Sequence, residues 1–434
     1  ASLSSNVTGE LDKNDQDLLT MRVRNRASYV QEILRNAEDL EQLSEQITAT
    51  TQQLLKSGDI SLDTLDNSSE QSDALLVALA PQLLDTLRTK QVTGIFIMLN
   101  THDLDTCEVG KKMPGIYLRD MDPDARPSER NSVERASATV VKELAIGTDK
   151  GWQPAFPYQG DTKGGILRTV FQTAYKSGAS LSAESYGRWT TNSYCLAGDD
   201  RHAIAYSMPL ILPDGTVYGV VGVELLTDYL QTKLPFTELD EDKAGTYFIV
   251  TTTDDALTDG VLSLRKTVTS GEDLATADAP LGVLNCRSNG NGGNWVELND
   301  KRYYMVLEPL QVYNRNAPFA AEKWFLAGTM EQSVLLAFSD RVRKVLLATI
   351  LVTLVLGVLG SLLVSARLAR PINRLYREVI DAQEKKTFPH LSRTAIREVN
   401  RFAETITQLN RELVTNSTKF LRIMDMASVE IGGY

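Results

Sequence analysis

The chain has 434 residues, 42% of them hydrophobic and 23% charged, which suits two or three folded domains and excludes a disordered segment. Its net charge of −11 is uneven: from Arg367 onward twelve Lys/Arg face eight Asp/Glu, so the preceding region carries about −15. So acidic a bulk excludes nucleic acid as its partner, because that requires a basic face.

Residues 15–56 contain neither Pro nor Gly. Val23, Val30, Ile33, Ala37, Leu40, Ile47 and Leu54 form one stripe at helical spacing, interrupted by Ser44 and Thr51. The spacing predicts a long N-terminal helix within residues 1–60. Its stripe is expected to bury against its own domain or against a second copy. A helix over 74–90 and a strand over 92–99 (VTGIFIML) follow. Residues 101–165 read as loop-rich, punctuated by Pro114, Pro123, Pro127, Pro154 and Pro157. After a helix over 167–176, strands over 203–212 and 217–225 flank Pro213-Asp214-Gly215-Thr216, a turn that predicts a β-hairpin.

Beyond Pro235 the order repeats without a repeat in sequence. A strand is expected over 247–252, a turn at 289–293, and a hairpin of 295–298 with 302–307 around Asn299-Asp300. A strand over 324–330 then leads into a helix over 332–344. Residues 345–364 (VLLATILVTLVLGVLGSLLV) carry no charge. Twenty residues at ~1.5 Å each match the ~30 Å hydrocarbon core of a bilayer. Arg341, Arg343 and Lys344 precede the run, whereas Arg367, Arg370, Arg374, Arg377, Lys385 and Lys386 follow it. That excess predicts a cytoplasmic C-terminal side. An upstream signal or membrane helix is expected before Ala1, and a further domain after Tyr434.

Past the apolar run, Ile372, Leu375, Val379 and Ala382 are spaced as a coiled-coil seam. Val399, Phe402, Ile406, Leu409, Leu413, Asn416, Phe420, Ile423 and Ala427 continue it with one strongly polar member, Asn416. A seam Asn costs stability and fixes register, so Asn416 is a candidate weak point in a signal path.

Two stretches carry a family resemblance. AYSMPLILPDGTVYGVVGVELLTDYL (205–230) resembles the closing hairpin of the membrane-distal module of double Cache sensor domains. WVELNDKRYYMVLEPLQVYN with EKWFLAGTM resembles the last strands of the proximal module. The resemblance spans roughly 15–340. It implies an α+β fold, two PAS-like (Cache) modules on a long N-terminal helix, with a small-molecule pocket in the distal one. Residues 370–375 and 397–402 resemble the two helices of a HAMP linker, with Pro371 and Glu398 at favoured positions. The connector 385–395 departs from that pattern in lacking an early glycine.

The resulting layout is a helix over 1–60, a distal module over 61–235 and a proximal module over 236–340. A transmembrane helix over 345–366, a HAMP parallel coiled-coil bundle over 367–418 and the start of an output domain over 419–434 complete it. The resemblance implies a homodimeric receptor in the cell membrane, its large region outside, that senses a small molecule. The output resembles cyclic-di-GMP turnover receptors, with chemoreceptor and histidine kinase outputs as alternatives. A membrane-anchored extracellular enzyme or solute-binding protein is the rival class, and it leaves the seam without a purpose.

No catalytic constellation or cofactor motif stands out. His102, His202 and His390 are scattered without metal-ligand spacing. Cys107, Cys195 and Cys286 show no C-x-x-C pattern; a Cys107–Cys195 bridge and small buried hydrophobes are both open readings. For the ligand, Arg188 can grip a carboxylate and Trp189 can wall a pocket. Amino-acid-binding relatives of the resembled family place Arg-x-Trp-Tyr here and an Asp on the last strand. This chain has Arg188-Trp189 without the spacer, and Glu224 at the acidic position. Arg188, Trp189, Tyr194, Tyr206 and Glu224 are the candidate ligand residues, for an amino acid or another carboxylate.

Overall fold

The computed structural model describes residues 2–67, 69–107, 111–125, 131–157, 166–239, 245–253, 257–258, 261–269, 283–289, 293–298, 301–314, 316–384 and 397–429. The N-terminal stripe forms two helices rather than one, α1 (Ser2–Glu38) and α2 (Glu41–Ser57). The break falls at Asp39 and Leu40 with no Pro or Gly to announce it. There Asp39 pairs with Lys90 at 2.9 Å, and the Lys90 carbonyl accepts from Asn36 at 2.9 Å. The stripe buries within this chain: Leu19, Val23, Val30, Leu34, Ala37, Leu40 and Ile47 are all core residues. Thr51 is buried too, its hydroxyl donating to the Ile47 carbonyl at 2.8 Å, so a polar residue in the stripe does not interrupt it. Gly58, at φ 81°, ends α2 with its N–H on the Leu54 and Leu55 carbonyls.

α3 (Glu70–Thr89) starts at a reciprocal capping box between Ser69 and Ser72. The distal strands are β1 (Gly94–Leu99), β2 (Lys112–Met113), β3 (Gly115–Asp120), β4 (Asn131–Arg135), β5 (Thr148–Gln153), β6 (Phe156–Pro157), β7 (Arg188–Trp189), β8 (Ala203–Ile211) and β9 (Val217–Leu226). Helices α4 (Ala138–Leu144) and α5 (Ile166–Lys176) fall among them, and α6 (Thr227–Thr232) closes the module. Seven strands form one sheet in the order β5-β4-β3-β1-β9-β8-β7, and β2 pairs with β6 apart from it. The 101–165 region is therefore not loop alone; it supplies three of the seven strands of this sheet, β3, β4 and β5. The hairpin β8–β9 pairs Ala203 with Leu226 through Ile211 with Val217, as its turn demands.

The proximal strands are β10 (Gly245–Thr253), β11 (Leu257–Thr258), β12 (Val261–Thr269), β13 (Val283–Asn289), β14 (Gly293–Leu298), β15 (Lys301–Leu310) and β16 (Glu322–Glu331). They run β10-β16-β15-β14-β13-β12-β11. β12 pairs with β13 through 261–265 and with β10 through 265–269, so the sheet curls back on itself. Strands β11 to β13 are absent from the sequence expectation.

One apolar core runs along α1, α2 and α3, under one face of the distal sheet, and on to β10, β15 and β16. A second fills the other distal face beneath α5. The two sheets thus share one compact unit, Ala1–Ser339. No disulfide joins Cys107 to Cys195.

From β16 the chain enters α7 (Gln332–Leu335) and, after Leu336, α8 (Ala337–Glu384). Ser339 near the start of α8 donates to Asp12 of α1. Asp340–Tyr434 form the second unit, with α9 (Arg397–Val429) as its other helix. Among the described residues α8 is the one helix long and apolar enough to cross a bilayer, with a mean hydropathy of 2.6 in its most apolar window. All of 345–364 except Leu346 and Gly360 are exposed. An apolar surface on every side of a helix is stable in lipid rather than water. The connector 385–395 and the C-terminal 430–434 lie outside the described residues.

Candidate ligand site

The five candidate residues do not converge on one pocket. Tyr206 pairs with Val223 while Ala205 pairs with Glu224. Because successive side chains on a strand alternate faces, Tyr206 and Glu224 point to opposite sides of the distal sheet.

Glu224 and Tyr194 belong to a buried ionic network. Gly94 of β1 lies opposite Arg119 of β3 on one side and Glu224 of β9 on the other. A Cβ at Gly94 would sit 2.8 Å from the Glu224 carboxylate. Its absence lets the two side chains meet across the central strand. Arg119 donates from Nε to Glu224 Oε1 at 2.7 Å and from Nη2 to Oε2 at 2.8 Å, the paired geometry that suits a guanidinium to a carboxylate. Tyr117 donates to Glu224 Oε2 at 2.5 Å and touches the Tyr194 hydroxyl at 2.9 Å. Arg119 also pairs with Asp199, and Arg201 binds Asp199 at 2.6 Å and Asp149 at 2.7 Å. Arg119, Glu134 and Glu224 are completely buried.

Electrostatics in this network follow from burial. The Tyr117 and Tyr194 hydroxyls are pushed well above the usual phenol range by desolvation and by Glu224, so both stay protonated. Burial also raises Glu134, against the pull of Arg119. Its Oε2 lies 3.6 Å from Arg119 and 3.7 Å from Arg201, and it accepts no hydrogen bond among the described residues. Asp199, which burial alone would raise, is held below the usual range by hydrogen bonds from Arg201 and Arg119. Among the ion pairs of the described residues, Arg119 and Arg201 thus face four carboxylates, Glu134, Asp149, Asp199 and Glu224. The surplus favours a group that brings positive charge and donors.

Arg188, Trp189 and Tyr206 sit instead where the two sheets meet. Arg188 donates to Glu322 of β16, from Nε at 3.1 Å and from Nη2 at 2.5 Å, and lies over the Phe319 ring. It is therefore already engaged, by a carboxylate of the proximal sheet. Trp189 is completely buried, its indole donating to Glu38 of α1 at 2.6 Å and its ring tilted against Tyr206 and Trp324. The Trp189 N–H donates to the Tyr313 hydroxyl at 3.1 Å.

Sequence reasoning missed Tyr117, Arg119, Glu134 and Asp199. The available signal was charge embedded in β-forming residues, as in Gly-Ile-Tyr-Leu-Arg-Asp at 115–120. His102 is held by Asp66 at 2.7 Å, and His202 is exposed. Among the described residues no cluster of three His, Cys, Asp or Glu side chains could hold a metal. Of the relay candidates, Pro371 lies within α8, Glu398 in the first turn of α9, and Asn416 on α9, exposed. Phe402, Leu409, Leu413, Phe420 and Ile423 of the same seam are each more than half exposed.

No family model and no curated protein matches the chain. Among solved structures it is similar to the periplasmic sensory domain of the Campylobacter jejuni chemoreceptor Tlp1, at 13% identity and a TM-score of 0.42, covering 75% of this chain and 98% of that one. It is similar also to the extracellular domain of the putative histidine kinase soHK1S-Z6, at 13% identity, TM-score 0.38, and coverage of 76% and 98%. A third is the ligand-binding domain of the Pseudomonas aeruginosa PAO1 amino acid chemoreceptor PctC in complex with GABA, at 15% identity, TM-score 0.34, and coverage of 71% and 96%.

Proposed function

We propose that the chain is the sensing and transmitting part of a transmembrane receptor. The observation that carries this reading is the direct run from β16 through α7 into α8, which joins a central strand of the proximal sheet to an uncharged, outwardly apolar helix. An enzyme held by a simple anchor has no need of the exposed heptad stripe on α9. A parallel homodimer buries that stripe, with Pro371, Glu398 and Asn416 in its HAMP-like relay.

A small molecule carrying an ammonium group, an amino acid among them, is sensed in the distal module. Tyr117, Arg119, Tyr194 and Glu224 form the site, and the ligand's ammonium answers the surplus of carboxylates there. Trp189, Tyr206 and the Arg188–Glu322 pair then pass the change to α1 and the proximal sheet. The displacement reaches a cytoplasmic output through α8.

Protease treatment of inverted membrane vesicles holding the full chain tests the arrangement. Residues 1–339 should survive while 397–429 are cut; the reverse pattern would sink the orientation, and cleavage on one side only at both ends would sink the span. Cysteines at Leu409 and Leu413 should cross-link between copies at a rate that changes with ligand. A ligand-dependent rate that is the same in Asn416→Leu as in the parent would remove Asn416 from the relay.

A further inference from the structure

Where α1 ends between the two sheets, the surface opens into a cleft of ≈ 400 Å³. Its walls include Arg35, Glu38 and Asp39 from the helix end, Glu184 from the turn before β7, Tyr206 from β8, and Tyr313 from the segment after β15. This is a different place from the ionic network, on the opposite face of the distal sheet.

Three features mark the cleft as built for a ligand. Glu38 is largely buried, yet among the described residues it has no ion-pair partner in contact; its one strong hydrogen bond is from the neutral Trp189 indole. Tyr206 is 5% exposed, and among the described residues its hydroxyl has no hydrogen-bond partner. That hydroxyl lies against Gly187, where any Cβ would collide with it, so the glycine keeps it open to the cleft. Glu38 and Glu184 line the cleft together with Tyr206, and burial with these two carboxylates pushes the Tyr206 phenol above its usual range. Asp39 is already taken by Lys90. Once Glu38 is ionised, above about pH 7, Glu38 and Glu184 therefore outweigh the single exposed Arg35.

We propose that this inter-sheet cleft binds a small organic cation, a primary or quaternary ammonium. Glu38 and Glu184 serve as counter-ions, and Tyr206 and Tyr313 pack against its carbon atoms. A cation supplies what a buried, unpaired carboxylate lacks, and ammonium groups are attracted to aromatic faces. Bound there it would touch α1, the distal edge and the proximal loop together, so it acts on the same joint that the receptor reading uses.

Isothermal titration of the full chain in lipid nanodiscs with ethylammonium, tetramethylammonium and acetate tests the site. Glu38 titrates at about 7 because of burial, eased by Trp189 and Arg35. The other charged or titratable groups facing it are Asp39 on its own helix, Glu184 and Tyr206 from the distal module, and Tyr313 with the Arg188–Glu322 pair from the proximal side. Cation affinity should accordingly rise about tenfold from pH 6 to pH 8, as the competent carboxylate fraction rises. Glu38→Gln, which keeps an acceptor for Trp189, should lose tenfold or more in affinity and flatten the pH dependence. Glu184→Gln, at an exposed position, should lose severalfold with folding untouched. Acetate binding in place of the cations, or cation affinity unchanged in Glu184→Gln, overturns the proposal. So does cation binding that Tyr194→Phe abolishes and Glu184→Gln spares, since that outcome assigns the cation to the distal network. Tyr194→Phe leaving this binding intact, whatever it does to the distal site, supports two separate sites.

Discussion

The two sheets bury different chemistry. The distal module encloses Arg119, Asp120, Glu134, Arg135 and Glu224, whereas the buried polar side chains described on the proximal strands are threonines, Thr246, Thr251, Thr267 and Thr329. Threonine hydroxyls are cheap to bury because a neighbouring carbonyl accepts them, as Thr246 does for Thr329 at 3.2 Å. Buried charges are costly, and an apolar replacement is often at least as stable. A fold that needed only a stable sheet would resemble the proximal one. The distal interior is thus the costlier of the two to keep, which is what the ligand site proposed above would require.

That contrast can be broken by mutation. Glu224→Leu removes the carboxylate that Arg119 grips through two hydrogen bonds, leaving it Asp199, and should cost about 3 kcal/mol, read by urea unfolding of the full chain in detergent. A cost below 1 kcal/mol would mean the network is not truly dry. At the joint between the sheets, Glu38 gives a pH signature. Its folded pKa of about 7 stands above the ordinary 4.5, so the folded state holds the proton longer. The stability it contributes is complete below about pH 4.5 and is lost as pH rises through 7. The swing is roughly 3 kcal/mol at most. Glu38→Gln should flatten the melting temperature between pH 5 and pH 8, and an unflattened curve would point to another group.

Gly328 of β16 is the proximal counterpart of Gly94: a Cβ there would run into Val23 of α1. Gly328→Ala should cost about 1–3 kcal/mol by overpacking, with Val23→Ala in the same chain restoring part of it. The smallest effect belongs to Thr329→Val, about 1 kcal/mol or less. A loss as large as that of Glu224→Leu would erase the contrast between the sheets.

Much of this was legible beforehand, for physical reasons that differ by element. The β8–β9 hairpin announces itself because Pro213-Asp214-Gly215 has few other conformations, and α5 because its apolar spacing is strong. The helix break at Asp39 was hidden, since tertiary contacts to Lys90 rather than a breaker residue produce it. β3 and β4 were hidden because prolines flank them and their charged residues read as solvent-facing. The same error concealed Arg119, whose partner lies 105 residues further on. Glu224 is picked out because it stands where the resembled family has an Asp on the last strand, but the sequence pattern alone cannot tell which face of a fully buried strand a side chain occupies. Arg188 and Trp189 were singled out for their chemistry, and their chemistry is used, toward Glu322 and Glu38.

One further consequence follows from α8 being unbroken from Ala337 to Glu384. With 3.6 residues per turn, each residue added or removed rotates everything beyond it by about 100° and shifts it about 1.5 Å. Near its start the helix is hydrogen-bonded through Ser339 to Asp12, and in the receptor reading proposed above it transmits rotation as a shaft. Its length is then quantised: a single-residue insertion within 345–364 should scramble the far face, while seven residues, close to two full turns, should nearly restore it.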